Sequence, residues 1–294
     1  MRVTFWTLLF FVTAVPSQAS AQSSAPGIDF FSGVNFNFRD INYARQYDLF
    51  IDLTPGFKWN LGNHWQIAGQ AYVNLINQYE PFVDIVRLNI LSISKEFKLG
   101  GLYAKASAGA FSSDRYGVDI KAFLPVCSWF AFEAQGGCTG FFSTNGGWGM
   151  SPMGRFTGTI GGDIYLARTN TQLRGTIGKY VFGDYGCEAE AMRHFRHSTI
   201  SLYGRWSNLT NFDGGFRIVA MLPPFHRTHR YVNFRPASNF RLSYTFMYNI
   251  YSNRMYFTDP EENERDGWFS RDLMPWGSHT MEPDYIITET ISKE

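Results

Sequence analysis

Residues 174–224, RGTIGKYVFGDYGCEAEAMRHFRHSTISLYGRWSNLTNFDGGFRIVAMLPP, alternate small or apolar side chains with charged or hydroxyl ones, in runs separated by turns rich in Gly, Asp and Asn. Successive side chains of a strand point to opposite faces. From Thr199 to Ser207 the pattern places Ile200, Leu202, Gly204 and Trp206 on one face, and Thr199, Ser201, Tyr203, Arg205 and Ser207 on the other. Further on, Phe216, Ile218, Ala220 and Leu222 oppose Arg217. In the hairpin that opens the stretch, Arg174 and Thr176 oppose Leu173 and Ile177, and Glu188 and Glu190 oppose Ala189 and Ala191. Such alternation fits a half-buried antiparallel sheet, in a soluble sandwich or in a membrane barrel.

The same scheme extends to both sides. Val34, Phe36 and Phe38 alternate with Asn35 and Asn37, and Tyr47, Leu49, Ile51 and Leu53 with Asp48, Phe50, Asp52 and Thr54. After a hairpin at Gly62-Asn63, one face carries Trp65, Ile67, Gly69, Ala71, Val73 and Leu75, and the other Gln66, Ala68, Gln70, Tyr72 and Asn74. Alternation in 83–99 is mixed around Arg87, Asn89 and Lys95, as in one long strand or in a strand with a bulge. Lys105 and Ser107, Asp119 and Lys121, and then Arg155, Thr157, Thr159 and Asp163 continue the polar face. The cleanest signal is 240–251, where Phe240, Leu242, Tyr244, Phe246, Tyr248 and Ile250 alternate with Arg241, Ser243, Thr245, Met247, Asn249 and Tyr251. This predicts an all-β chain of about 12–14 strands. From Thr258 the pattern stops, and a charged run, Glu261 to Asp266, reads as a poorly ordered or peripheral extension.

Composition limits the alternatives. The 294 residues carry a formal net charge of +1, which gives no electrostatic pull toward nucleic acid. Arg2, the apolar run Phe5 to Val15 and Ala19-Ser20-Ala21 have the order of a secretory signal, with cleavage expected ahead of Gln22 and no lipoprotein Cys there. The expected organisation is a signal peptide at 1–21, a barrel at 22–257 and a polar extension at 258–294. Cys127, Cys138 and Cys187 match no zinc spacing, and a Cys127–Cys138 bridge is left open.

Two features favour a transmembrane barrel over a sandwich. The apolar faces hold small residues such as Gly69 with Ala71, or Ala104, Ala106 and Ala108, which lipid tolerates but a dense sandwich core fills poorly. Aromatics fall near strand ends, at Tyr47, Trp59, Trp65, Tyr180, Trp206 and Tyr251, as an interfacial girdle requires. The polar faces then line a lumen, with candidate polymer-contacting residues Asp48, Asp52, Gln70, Tyr72, Arg155, Asp163, Arg174, Glu188, Glu190, Arg205, Arg217 and Arg241.

Within 172–224, Gly178-Lys179-Tyr180-Val181-Phe182-Gly183-Asp184-Tyr185-Gly186, then Arg193-His194-Phe195, then Phe212-Asp213-Gly214-Gly215-Phe216 running to Pro223, resemble the C-terminal barrel region of the YjbH family. The resemblance implies an outer-membrane barrel associated with secretion of exopolysaccharide or capsule. Its expected partners are membrane lipid and lipopolysaccharide, a polysaccharide, and periplasmic secretion proteins. The chain is shorter than the long members of that family and lacks their lipoprotein Cys. Gly178, Gly183 and Gly186 suit a tight turn, Asp184 is expected to accept turn N–H bonds, and Arg193 to pair with a carboxylate.

No His lies in a catalytic motif, so no enzyme activity, cofactor or metal is expected. His194, His197, His226 and His229 stand beside Arg193, Arg196, Arg227 and Arg230 and read as a basic loop suited to anionic sugars. The competing readings are a soluble exported β-sandwich acting as adhesin or scaffold, and a membrane-embedded hydrolase.

Overall fold

The first and last strands of this sheet run parallel, and that single pairing closes it. The computed structural model describes residues 27–260 apart from 41–47, 78–85, 128, 144–146, 150–154, 196–197, 210, 223–226, 230–231, 238, 249–251 and 253. The expected signal at 1–21 and the tail beyond 260 therefore lie outside the described residues.

The strands are β1 (Gly27–Arg39), β2 (Asp48–Gly62), β3 (Trp65–Asn77), β4 (Val86–Leu99), β5 (Leu102–Phe111), β6 (Arg115–Cys127), β7 (Phe130–Ser143), β8 (Gly147–Gly149), β9 (Phe156–Leu166), β10 (Thr171–Lys179), β11 (Tyr185–His194), β12 (Ser198–Ser207), β13 (Asn211–Met221), β14 (Arg227–His229), β15 (Val232–Pro236) and β16 (Asn239–Phe246). Consecutive strands pair antiparallel from β1 to β7, then β9 to β13, and β13 with β16. β8 is a short flap on β7, and β14 folds back on β15.

Among the described residues thirteen strands form the wall, and an odd number of up-and-down strands leaves the first and last pointing the same way. β16 accordingly pairs parallel with the second half of β1, Asn35 opposite Arg241 and Arg39 opposite Thr245. β15 continues the same line along the first half of β1, Ile28 opposite Val232. The offset grows by two residues between these ladders, and Ala237 bridges it by donating its N–H to Ser32 O at 2.8 Å. With no unpaired edge in the wall, the sheet is a closed barrel rather than a two-sheet sandwich.

Burial is inverted relative to a water-soluble core. Asp213 is 0% exposed, and Asp52, Lys105 and Lys121 are each 2% exposed. Ile160, Ile177 and Leu202, on the outward face, are 64–65% exposed. The alternation read in 199–207 and 216–220 thus puts its polar members inside. Exposed Trp59, Trp65 and Trp129 ring the rim where β1 begins, and Trp206, Phe212 and Tyr185 ring the second rim.

Several expectations change in detail. The mixed alternation in β4 is a bulge at Asn89 and Ile90, both buried, where Gln70 faces Ile90 and Ala71 faces Leu88. Tyr180 does not belong to the girdle, since it is buried beneath the β10–β11 turn. The last strand stops at Phe246, because Met247 takes a left-handed φ of 56° and turns the chain inward; the expected continuation at 249–251 and the girdle residues Tyr47 and Tyr251 lie outside the described residues. Cys127 and Cys138 are free thiols well separated along the β6–β7 ladder, facing Phe130 and Val118.

Candidate functional site in the lumen

The turn at Met247 sends the chain back into the barrel. The strap that follows, of which 252 and 254–260 are described, touches β4, β5, β6, β9 and β13, with Ser252, Arg254, Tyr256, Thr258 and Pro260 all buried. At its top, Arg254 O accepts Val181 N–H at 3.1 Å, and Arg254 Nη2 lies 3.3 Å from Asp213 Oδ2. Midway, Tyr256 Oη donates to Asp119 Oδ1 at 2.8 Å and lies 3.2 Å from Thr157 Oγ1, while its ring stacks on Phe111. Phe257 N–H donates to Ser112 Oγ at 2.7 Å, and Ser112 N–H returns a bond to Phe257 O at 3.1 Å. Lower down, Ser92 Oγ donates to Thr258 O at 2.7 Å, and Lys105 Nζ donates to Asp259 Oδ1 at 2.7 Å. The extension read as peripheral from Thr258 therefore begins inside the lumen, as far as its described residues, 258–260, go.

Above the strap remains a cavity of about 280 Å³. Arg39, Arg87, Arg174, Arg205, Arg217, Arg241 and Arg254 line it, with Asp52, Glu133, Glu188, Tyr72, Tyr203 and Asn35 among them. Six of the arginines come from inward positions of separate strands and Arg254 from the strap, and several are held by buried carboxylates. Arg174 forks onto Glu133, with Nε 2.7 Å from Oε1. Arg205 Nε donates to Asp213 Oδ1 at 2.7 Å, and Arg217 Nη1 to Glu190 Oε1 at 2.7 Å. Removed from bulk water, such pairs hold their geometry because each lost partner would leave a buried charge uncompensated. Arg39 lies over the Tyr248 ring at 4.2 Å, and Arg87 over Tyr72 at 5.2 Å. A guanidinium on an aromatic face beside amides is a surface that binds sugar hydroxyls, carboxylates or phosphates.

The candidate residues fall into four groups. Asp52, Tyr72, Arg174, Glu188, Arg205, Arg217 and Arg241 line the cavity, and Glu190 stands behind Arg217. Asp52 accepts a bond from Asn74 Nδ2 at 3.1 Å. Gln70 is buried in the wall, where its Oε1 accepts from Asn89 Nδ2 at 2.9 Å. Asp48 opens β2 opposite Arg39 at the second rim, and Arg155 immediately precedes β9 at that same rim. Asp163 lies toward the first rim and joins a separate network, accepting from Gln172 Nε2 at 2.6 Å. Gln172 Oε1 in turn is 3.1 Å from His194 Nε2.

The turn residues have specific places too. A Cβ on Gly178 would stand 2.3 Å from Gly158 O, and one on Gly186 2.1 Å from Trp206 O, so strands β9 to β12 approach closely there. Gly183 has a φ of 82°. Asp184 accepts the turn N–H of Tyr180 through its backbone carbonyl, at 2.8 Å, and not through its carboxylate. That carboxylate is buried and has no hydrogen-bond partner among the described residues. Burial pushes the neighbouring Tyr180 phenol up to about 12, Glu188 adding to the effect. Arg193 points outward, donating to Thr171 Oγ1 at 3.4 Å rather than to a carboxylate. Of the basic cluster, Arg196, His197, His226 and Arg230 lie outside the described residues, and His194 is turned inward.

Sequence reasoning missed Arg39, Arg87, Glu133 and Arg254. Arg39 was within reach, standing two residues beyond Asn37 on the same face. Arg254 was not, because it lies on no strand and its partner Asp213 is 41 residues away.

The geometry defines a class, a closed thirteen-stranded β-barrel with a polar, arginine-rich interior, consistent with outer-membrane barrels in general. Compared with models of protein families and with curated proteins, the chain matches none.

Proposed function

We propose that the protein is an outer-membrane barrel that handles an exported polysaccharide at the cell surface, without catalysing a reaction. The observation that carries the membrane reading is the inversion of burial, with charged residues within and Ile160, Ile177 and Leu202 turned outward. Water would penalise that outer face, whereas lipid favours it. Strands β9 to β13, of 9–11 residues, match the roughly 9–11 tilted residues that cross a bilayer.

The polysaccharide reading is supported by the lumen chemistry and by the YjbH-like residues of 172–224. Arg, carboxylate, amide and aromatic groups converge on the cavity, the mixture that grips sugar polymers. Lipopolysaccharide around the outer band and periplasmic secretion proteins at one rim are the partners this role requires. Deleting the gene is expected to lower surface polysaccharide while its synthesis continues. Unchanged surface polysaccharide in the deletion strain would sink the export role.

A further inference from the structure

Lys105 and Lys121 stand directly opposite one another across β5 and β6, both facing the lumen and both 2% exposed. Like charges at opposed positions destabilise a sheet, and burial sharpens the effect. A third ammonium, Lys58, points into the same region above the Phe31 ring, 5.7 Å from its centroid. The cluster therefore calls for negative charge. Among the described residues Glu96 supplies some, 3.4 Å from Lys105 Nζ, from a position on β4 whose side chain is 41% exposed. The closer carboxylate belongs to no wall strand. It is Asp259, carried in on the strap and 2.7 Å from Lys105 Nζ, with Lys121 and Lys58 the next positive charges acting on it.

The strap is held in a way that permits exchange. Among the described residues it joins no strand ladder; Arg254 is anchored to Asp213 and Val181, and beyond it the bonds run to Asp119, Thr157, Ser112, Ser92 and Lys105, groups that water can satisfy otherwise. Segments with few ladder bonds open at low cost compared with a barrel wall.

We propose that Lys58, Lys105 and Lys121 form an anion-binding site of the lumen, that its ligand is a polymer bearing carboxylate or phosphate groups, and that Asp259 occupies the site as a tethered stand-in until such a polymer displaces it. The strap is then a plug released by the cargo. This rests on the reading of the barrel as a polysaccharide passage, and it specifies the cargo as anionic. A tethered carboxylate competes at an effective concentration of about millimolar, so single anions bind weakly and multivalent ones displace it.

The test uses the full chain in detergent micelles at low ionic strength, titrated calorimetrically with inorganic tripolyphosphate and separately with trigalacturonate. Asp259→Asn is expected to bind at least one of them about tenfold more tightly than the unaltered protein. Replacing Lys105 and Lys121 by Gln in that background is expected to abolish the gain. Preference for one probe assigns phosphate or carboxylate as the recognised group. In the unaltered protein, which requires no variant to fold, saturating anion is expected to speed hydrogen exchange at the Phe257 amide. Equal affinities with and without Asp259, a gain that survives loss of both lysines, or unchanged Phe257 exchange with both anions overturns the site. A polysaccharide defect in the deletion strain alongside no anion binding overturns this site alone. Anion binding without that defect overturns the export reading.

Discussion

Tyr256 and Asp119, 137 residues apart in the chain, meet inside the barrel through a 2.8 Å hydrogen bond from phenol to carboxylate. It anchors the middle of the strap to β6. Hydrogen bonds to charged groups contribute about 1.5–3 kcal/mol. Tyr256→Phe keeps the ring stack on Phe111 and removes only this bond and the Thr157 contact. Amide exchange at Phe257 is expected to rise at least tenfold, with exchange in β5 and β6 unchanged. Equal rises in the strap and in those strands would show that the residue supports the wall instead.

Asp213 is fully buried and faces two guanidiniums, Arg205 at 2.7 Å and Arg254 at 3.3 Å. Removing one partner of a buried ion pair costs about 3–5 kcal/mol, because the remaining charge is stranded. Asp213→Ala is expected to lose that much in urea unfolding from micelles. Arg193→Ala, at an exposed position outside the lumen, is expected to change stability by less than about 0.5 kcal/mol.

Two glycines of β10 make an internal control. A Cβ at Gly178 would collide with the Gly158 carbonyl oxygen at 2.3 Å, whereas one at Gly175 meets nothing within 4 Å. Gly178→Ala is expected to destabilise by about 1–3 kcal/mol, the usual cost of overpacking. Gly175→Ala is expected to stay within about 0.5 kcal/mol. The unfolding midpoint of each variant reads the difference.

The wall was legible in the sequence because its information is local. Period-two alternation in 199–207 and in 240–246 separates a polar from an apolar face without reference to any other segment, and the mixed pattern around Asn89 marked the bulge. Strand number was legible only as a range, and the odd count with its parallel closure was not, since β15 and β16 share one line along β1. The strap left no trace because its partners are distant. Ser92 meets Thr258 across 166 residues and Lys105 meets Asp259 across 154. Alternation even misled at the end of β16, where Tyr248 and Ile250 continue the pattern although the backbone turns at Met247.

Leu202 sits midway along β12 and is 64% exposed on the outward face. In a bilayer, arginine near the midplane costs about 2–4 kcal/mol, whereas an exposed position facing water tolerates it within about 0.5 kcal/mol. Leu202→Arg is therefore expected to lower the stability of the barrel folded into phosphatidylcholine vesicles by the larger amount. Trp206→Arg, nearer the rim, is expected to lose about 1 kcal/mol or less of side-chain transfer energy.

The central claim is that the outward face meets lipid. Fractionating cells that express the full chain tests it most directly. The protein is expected to sediment with the outer membrane, to resist washing with high salt and alkaline carbonate, and to enter solution only with detergent. Release into the soluble periplasmic fraction without detergent would contradict it.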